Sequence, residues 1–583
     1  MRPGKKFIST VLPALFCTMA LLLAACGGGG SSTTTNSPHS KAAANKQVFI
    51  LPEAGVPDIA TFDPGLSTDV PSVNAINLVF TGLVEPDDNG NIVGYLAQSW
   101  DVSKDNLTYT FHLRPNLKFS DGTPLTSADV AYSIDRALQP ATKSGTGPYY
   151  LRYVKDSDKL SAGSIKTIIG DSIKTPDPST VIIVANKPIP FFLKALSYPC
   201  SYVLEKSLVD KYGTSFTDHL TAGGGDGPFK VAEYTHSKRI VFVPNPTYYG
   251  PHPQLQKLIF PFYKVQDTTY NAYLSGETDW GVIPISNYST AKSRSDFHSV
   301  PQLWISYYAM NYLSKPFDNI NIRQAFELAI NKDLIVQAAW KGEYIATNHI
   351  VPQGLLGYNP NLTGPDGTTS TKGDSAKAKQ LLQTGMQQEG WTSVSQIPPI
   401  TLTYASTGVA ASKNEVAILQ QEWQSVLGIS VKTEDIDFNK LLTDITGTTN
   451  TNTLQFWGIA WVTDYNDPQD WTTLQFDKGS GNNNMNYGQN HSTDAAQQQQ
   501  VQTMMEQADV NQDQTSRLQA YNQAEQKLVN DVAWLPMEQV TATYLLKPCV
   551  QGYVLDHQDL TPPNDWGKVF ISTDTPCANT SGQ

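Results

Sequence analysis

Residues 411–461 alternate between helical and extended patterns, and this alternation constrains the fold more than any other feature of the chain. An apolar stripe from Val416 to Leu427 has helical spacing and stops at Gly428, a residue that suits the end of a helix. A strand over 429–436, a helix over 437–446 and a strand over 454–461 are predicted to follow. Elements that alternate in this way pack as a sheet covered by helices. The sequence therefore predicts an α/β fold.

The rest of the body is also mixed. Thr126, with Asp129 as its partner, predicts a capped helix that runs to about Leu138. Arg323 is expected to make a structural ion pair, and the polar stretch 479–500 is expected to be a surface loop before a helix. Strands are predicted at TYTFHLR (108–114), TVIIVAN (180–186), RIVFV (239–243), KLIFPF (257–262) and QLWISYYAMNY (302–312).

The N-terminal 45 residues are predicted to be a targeting segment and not part of the folded domains. Arg2, Lys5 and Lys6 precede an uncharged apolar stretch, residues 7–25, which leaves a retained spanning helix and a cleaved signal peptide as alternatives. The sequence LAAC at 23–26 resembles a bacterial lipoprotein lipobox and favours a signal peptide over 1–25 with lipid attached to Cys26. Residues 26–45 would then be a lipidated, Gly/Ser/Thr-rich flexible tether.

Three cysteines remain beyond the lipobox, at 200, 549 and 577. An odd number permits at most one disulfide. A bond between Cys549 and Cys577 would fix the C-terminal tail, and Cys200 remains an alternative partner. No CxxC motif is present, so neither a zinc site nor any other metal site is predicted.

Composition and motifs argue against several function classes. The 583-residue chain has a net charge of −12 and no basic run beyond its first residues, which excludes a broad nucleic-acid interface. The chain lacks GxSxG, HExxH and P-loop motifs, so no catalytic residue is predicted and no cofactor is expected. Asp464 and Asp467 could still form a glycosidase-like carboxylate pair. A lipid-anchored surface hydrolase therefore stays as an alternative from another class.

Several long blocks resemble, in order, the family 5 extracellular solute-binding proteins of ABC importers. The block at 96–137 reads LAQSWDVSKDNLTYTFHLRPNLKFSDGTPLTSADVAYSIDRA and is similar to the signature block of this family. Two departures are GDGPF at 225–229, where GTGPY is usual, and the Asn/Gln-rich insertion. Further matching blocks lie at 61–64, 80–100, 225–250, 275–282, 317–360, 454–468 and 528–539.

The resemblance implies a two-lobed, periplasmic-binding-protein-like clamshell of the class II type, with an additional small inserted domain. Lobe one would comprise 46–84, 227–306 and 537–583. The inserted domain would comprise 85–226, and lobe two 307–536. A hinge between the lobes would let them close on a buried ligand.

The resemblance also implies where a ligand would bind. In the oligopeptide receptors that this chain resembles, the acid that opens the D-Y-N-x-P block pairs with the peptide ammonium group, and here that acid is Asp464. Ala460 and Val462 would pair with the peptide backbone, and Thr68 and Val70 would form the opposite wall. Trp457, Trp461, Tyr465 and Trp471 could line side-chain pockets or could belong to the core.

The expected function is that of an extracytoplasmic lipoprotein, a monomer anchored to the cell membrane, that binds short peptides. It would deliver them to the permease subunits and cytoplasmic ATPases of an importer. A receptor of the same fold for oligosaccharides or nickel–chelate complexes is the alternative, and the absence of a histidine cluster disfavours nickel.

Overall fold

The computed structural model describes residues 39–87, 90–574 and 577. The predicted signal peptide, the lipidated Cys26 and the tether up to residue 38 lie outside the described residues. None of the helices in the described part combines the length and the apolarity needed to cross a membrane.

The described strands form five sheets. The strands are β1 (Val48–Ile50), β2 (Glu53–Ala54), β3 (Val84–Pro86), β4 (Ile92–Gly94), β5 (Ala97–Val102), β6 (Thr108–Leu113), β7 (Ile173–Asp177), β8 (Thr180–Val184), β9 (Phe229–Thr235), β10 (Arg239–Pro244), β11 (Lys257–Tyr263), β12 (Trp280–Val282), β13 (Phe297–Met310), β14 (Ile345–Ala346), β15 (Ile400–Tyr404), β16 (Val431–Asp435), β17 (Phe456–Val462), β18 (Leu535–Leu546), β19 (Val550–Gln551) and β20 (Phe570–Ile571).

Helices cover these sheets. The α-helices are α1 (Val70–Val79), α2 (Ser127–Leu138), α3 (Gly147–Tyr150), α4 (Ser157–Ser161), α5 (Phe192–Ala195), α6 (Lys206–Tyr212), α7 (Gln266–Ser275), α8 (Ile285–Ala291), α9 (Ile320–Leu328), α10 (Lys332–Ala339), α11 (Ser375–Gln388), α12 (Ala410–Leu427), α13 (Phe438–Thr446), α14 (Thr473–Phe476), α15 (Ala495–Val510) and α16 (Gln514–Asn530).

The elements with the clearest local patterns are confirmed. Helix α12 ends at Gly428, which has a φ of +72°, and β16, α13 and β17 follow in the predicted order. Helix α2 starts with a capping box in which the Thr126 backbone N–H donates to Asp129 Oδ2 at 2.8 Å. These signals are short-range, so the sequence carries them directly.

The largest sheet has seven strands in the order β12-β18-β13-β17-β15-β16, with β14 beside β18. Strand β17 pairs along its whole length with β13, whereas β15 pairs with β17 only at Phe456 and Trp457. The stretch 458–462 therefore has no strand beside it on that side within the described residues. One edge of β17 is open there.

The sheets bear on the predicted domain division without testing its boundaries, which stay a prediction. A four-stranded sheet, β5-β6-β8-β7, lies wholly within residues 85–226. The seven-stranded sheet crosses two predicted boundaries, because β13 runs through the one at 306 and β18 runs through the one at 536. The core of the four-stranded sheet also takes in Tyr465 and Leu474, so it packs against the segment that follows β17.

The helix expected after the polar stretch is confirmed as α15, but the loop before it is not wholly at the surface. Asn483, Asn486 and Tyr487 are buried. Asn486 Nδ2 donates to Asn311 Oδ1 at 3.0 Å, and Asn483 Nδ2 donates to the Tyr487 carbonyl oxygen at 2.9 Å. Polar composition predicts exposure, but amide side chains can be buried when they satisfy one another and the backbone.

The ion pair expected for Arg323 is confirmed, and it holds this segment in place. Arg323 is fully buried, and its Nη2 lies 2.8 Å from Oδ2 of Asp494. Asp494 belongs to the 479–500 stretch, so the pair joins α9 to the insertion. Removing either partner would leave a buried charge without its counter-ion.

The two ends of the described chain meet. Ala42 N–H donates to the Ile571 carbonyl oxygen at 2.9 Å, and Thr573 N–H donates to the Ser40 carbonyl oxygen at 2.7 Å. The predicted Cys549–Cys577 disulfide is confirmed, with the Cα atoms 5.7 Å apart, and Cys200 is buried as a free thiol.

Candidate functional site

The open edge of β17 presents the backbone groups of two predicted site residues. Thr463 N–H donates to the Leu303 carbonyl oxygen at 2.9 Å, so Thr463 is hydrogen-bonded to the β13 side. Hydrogen-bonding direction alternates along an antiparallel strand. The N–H and C=O groups of Ala460 and Val462 therefore face away from β13, toward the open edge over 458–462.

Asp464 lies directly beyond this edge and is half-buried. Tyr150, from the region of the four-stranded sheet, donates its hydroxyl hydrogen to Asp464 Oδ2, and the Asp464 backbone N–H donates to Asp470 Oδ2 at 3.0 Å. Burial raises the pKa of Asp464 to about 7, against the opposing effect of the Tyr150 hydrogen bond. Within the described residues, no ion pair to a Lys or Arg side chain neutralises Asp464.

Tyrosines surround the Asp464 carboxyl group. The rings of Tyr150 and Tyr198 stack with centroids 3.8 Å apart, and Tyr149 meets Tyr150 edge-on at 4.9 Å. Burial, followed by the nearby Asp464, raises the pKa of each of these three hydroxyls well above its usual range. Burial and then Asp464 likewise hold the pKa of Asp470 well above its usual range. Within the described residues, neither Asp464 nor Asp470 forms an ion pair with a Lys or Arg side chain.

Asp467 has a different role from Asp464. Its side chain is 1% exposed and forms ion pairs with Arg517 and with Lys194, whose Nζ lies 3.3 Å from Oδ2. Lys194 Nζ also donates to the Asn466 carbonyl oxygen at 2.6 Å. Because both cations engage Asp467, it is a structural acid, and the carboxylate-pair interpretation of Asp464 and Asp467 is not supported.

The aromatic candidates separate by burial. Trp461 is half-buried next to Asp464, whereas Tyr465 is 3% exposed and its ring stacks on Phe191 with a centroid distance of 6.2 Å. Trp457 and Trp471 are core residues at 1% and 0% exposure. Burial therefore argues for Trp461 as a lining residue and against Tyr465.

Thr68 and Val70 flank the start of α1. Asp69 caps this helix by accepting the Ser72 N–H at 3.0 Å, while Thr68 is exposed and Val70 half-buried. No hydrogen bond or ring contact within the described residues joins Thr68 or Val70 to β17. Their role as the opposite wall stays a prediction.

Several carboxyl groups lie near Asp69, the residue that caps α1. Oδ2 of Asp69 is buried without a hydrogen-bond partner in the described part of the chain. Burial raises the pKa of Glu53 to about 8, and the charges of Asp559 and Asp69 add to this effect. Gln558, next to Asp559, donates to the Thr463 carbonyl oxygen at 3.3 Å, which places this segment against the end of β17.

Sequence reasoning missed Tyr150 and Asp470. Tyr150 lies 314 residues from Asp464, and nothing in the local pattern of GTGPYY indicates this contact. Asp470 did carry a signal, because Asp464, Asp467 and Asp470 recur every three residues directly after a predicted strand.

The chain is similar in sequence to known solute-binding proteins. The family described as bacterial extracellular solute-binding proteins, family 5 middle, matches residues 91–483. The oligopeptide-binding protein OppA of Bacillus subtilis is 26% identical over 502 residues, which cover 84% of this chain and 88% of OppA. The dipeptide-binding protein of Lactococcus lactis subsp. cremoris is 30% identical over 443 residues, 72% of this chain and 77% of that protein.

Solved structures show the same architecture. The murein tripeptide binding protein MppA of Escherichia coli has a TM-score of 0.74 at 24% identity, over 90% of this chain and 98% of MppA. Haemophilus influenzae OppA in complex with RPPGFSPFR has a TM-score of 0.72 at 21% identity, over 91% and 99% of the two chains. These neighbours are two-lobed periplasmic peptide-binding proteins, so the predicted two-lobed α/β fold is confirmed.

Proposed function

Because the chain belongs to the family 5 bacterial extracellular solute-binding proteins, we propose that it captures short peptides between its two lobes and delivers them to an ABC importer. Proteins of this family bind solutes, and the relatives named above are oligopeptide- and dipeptide-binding proteins. The observation that carries the proposal is the open edge over 458–462 that ends at Asp464, a half-buried acid without a cation of its own within the described residues.

The proposed binding mode is addition of the peptide as a strand. The backbone groups of Ala460 and Val462 would pair with the peptide main chain, which recognises any sequence. Asp464 would receive the α-ammonium group, and such a charge-assisted contact is strong where water is excluded. Trp461 would contact a peptide side chain, and Thr68 and Val70 would close the opposite side.

The cellular location and the partners that we propose follow from the same function. Lipid on Cys26 would anchor a monomeric receptor at the outer face of the membrane, and closure of the lobes around peptide would be read by the permease subunits with their cytoplasmic ATPases. Neither a cofactor nor nucleic acid takes part. Two further relatives, the periplasmic oligopeptide-binding proteins OppA of Escherichia coli and of Salmonella typhimurium, support an extracytoplasmic location.

The first test is a thermal melt of the ligand-free protein with and without a mixed peptide digest. Ligand at about 100 times Kd adds about 2.7 kcal/mol to the free energy of unfolding. We expect the Tm to rise, and N-acetylation of the digest to remove the rise. A shift that survives N-acetylation would contradict the role of Asp464, and no shift with either digest would contradict peptide binding.

Two variants test the ammonium contact and the strand pairing separately. Asp464→Asn should abolish the shift, while Glu434→Gln, at an exposed acid on β16 of the same sheet, should leave it unchanged. Ala460→Pro removes an amide that faces the open edge and leaves pairing to β13 intact, so it should weaken binding without unfolding the protein. Wild-type affinity in Ala460→Pro would contradict strand addition at this edge.

A further inference from the structure

The region of residues 85–226, the predicted inserted domain, is joined to lobe one by buried contacts. Arg136 on α2 forms a two-point ion pair with Asp63, with Nη1–Oδ1 and Nη2–Oδ2 distances of 2.9 and 2.6 Å. The backbone N–H and the hydroxyl of Thr81 donate to the two carboxyl oxygens of Asp226, at 3.0 and 2.8 Å. One core also holds apolar side chains from both regions, among them Phe49, Phe62, Tyr202, Leu204 and Leu208. The region is therefore expected to move as one body with lobe one.

The same region also meets lobe two. Lys194, on α5, donates from Nζ to the Asn466 carbonyl oxygen at 2.6 Å and lies 3.3 Å from Asp467 Oδ2. A second contact is the hydrogen bond from Gln512 Nε2 to the Pro188 carbonyl oxygen at 2.5 Å. Among the ion pairs of the described residues, the pair of Lys194 and Asp467 is the one that joins residues 85–226 to residues 307–536. We name the contact of Lys194 with Asn466 and Asp467 the Lys194 latch.

The Lys194 latch can open without leaving a buried charge unpaired. Asp467 is 1% exposed and also pairs with Arg517 on α16, which belongs to the same lobe. If the lobes separate, Asp467 keeps Arg517 as its counter-ion, whereas the Lys194 ammonium group gains water. A buried acid with a single partner is strongly destabilised when that partner leaves. Two cations on one acid therefore suit a contact that is made and broken.

The Lys194 latch lies past the end of the proposed peptide strand. That strand would pair with residues 458–462 and place its ammonium group at Asp464. Lys194 binds the chain two and three residues farther on, through a backbone oxygen and a carboxylate of the protein itself. Its expected effect is therefore on the closing of the lobes and not on contact with the peptide.

We propose that Lys194 is a positioning residue that holds the lobes closed around bound peptide and so sets how long any peptide stays bound. This inference rests on the proposed function, because it needs a ligand that leaves only when the lobes open. Breaking the latch should ease opening without changing the encounter of peptide with the open protein, so the effect falls on koff. A hydrogen bond to a charged group, largely shielded from water, corresponds to a change of about tenfold.

The test is a stopped-flow measurement of kon and koff for tetra-alanine and tetra-serine on wild type and three variants. Lys194→Met removes the charge at nearly the same length, and Lys194→Arg keeps a cation. Lys187→Met is the control, at an exposed lysine of the same region that has no ion pair within the described residues.

We expect Lys194→Met to raise koff about tenfold for both peptides, with kon within twofold of wild type. Lys194→Arg should restore most of the loss, and Lys187→Met should match wild type. An unchanged koff in Lys194→Met, or a change that differs more than threefold between the two peptides, would overturn the proposal. Equal koff values for Lys194→Arg and Lys194→Met would assign the effect to packing and would overturn it as well.

Spin labels report on closure without any peptide. Lys166→Cys and Glu434→Cys place labels at exposed positions in the inserted region and on lobe two, and electron resonance measures the distance between them. We expect the ligand-free protein to populate the distance of the closed form, and Lys194→Met to lower that population at least fivefold. The same distribution with and without Lys194→Met would overturn the proposal even where peptides bind. Failure of both peptides to bind the wild type would instead contradict the proposed function, and the label distances would still decide whether the latch holds the lobes.

Discussion

Acidification should release peptides that bind through a free amino group. The pKa of Asp464 in the ligand-free protein is about 7, and an ammonium group binds to the ionised carboxylate. About half of the Asp464 side chains are ionised at pH 7 and about 1% at pH 5, so the Kd should rise about 50-fold over this interval. The sign follows from the raised pKa: affinity is present above pH 7 and is lost as the pH falls.

Other groups near Asp464 should not obscure the effect. Burial raises the pKa of the Tyr149, Tyr150 and Tyr198 hydroxyls well above their usual range, so they stay neutral between pH 5 and 7. The α-amino group of the peptide has a pKa of about 8 and stays largely protonated over the same interval. Asp464 is the carboxyl group proposed to meet the ammonium, so its ionisation near pH 7 is expected to set the pH dependence.

Calorimetric titration of one free-amine peptide at pH 5, 6 and 7 measures the effect. Asp464→Asn should bind weakly, with the same Kd at all three values, and near-UV circular dichroism should show that the fold persists at pH 5. A wild-type Kd that changes less than threefold between pH 5 and 7 would refute the reasoning.

Three further predictions concern stability. Burial raises the pKa of Asp226 to about 7, so its stabilising protonated form is lost as the pH rises through 7. Asp226→Asn should therefore raise the free energy of unfolding by up to about 3 kcal/mol more at pH 8 than at pH 5. Urea titrations at both pH values measure this difference, and equal gains at the two values would contradict the prediction. Replacing Cys549 and Cys577 by serine should cost about 3–4 kcal/mol, since the bond closes a separation of 28 residues, and reductant should reproduce the loss in the wild type alone. Arg323→Met should lower the free energy of unfolding by about 3–5 kcal/mol, because it leaves the Asp494 carboxylate without its counter-ion. Adding Asp494→Asn should restore much of that stability, and no recovery would mean that the loss comes from packing.

Local patterns in the sequence predicted much of the fold. The stop at Gly428, the alternation in β6 and the capping box of α2 depend on residues within a few positions of one another, so they are readable from a single chain. The Cys549–Cys577 disulfide, expected because it would fix the C-terminal tail, is also confirmed.

Features that depend on tertiary contacts were less accessible. The Asn/Gln-rich stretch is buried because Asn486 meets Asn311, a contact across 175 residues. Trp457 and Trp461 lie on the same side of β17, yet only Trp457 is fully buried, since their exposure depends on what packs over each position. The partner of Asp464, Tyr150, comes from a separate sheet region of the chain. Pairing of distant segments sets these properties, and no local spacing encodes it.

Because the two ends of the described chain are in contact, the fold does not depend on where the chain begins. Ser40 and Thr573 are hydrogen-bonded neighbours, so a short linker could join the ends into a closed ring without displacing either strand segment. The ring could then be cut at an exposed turn such as that at Gly367. A permuted chain of this kind would attach its tether far from the disulfide, and the binding cleft could be presented to a surface in an orientation that the natural connectivity does not allow.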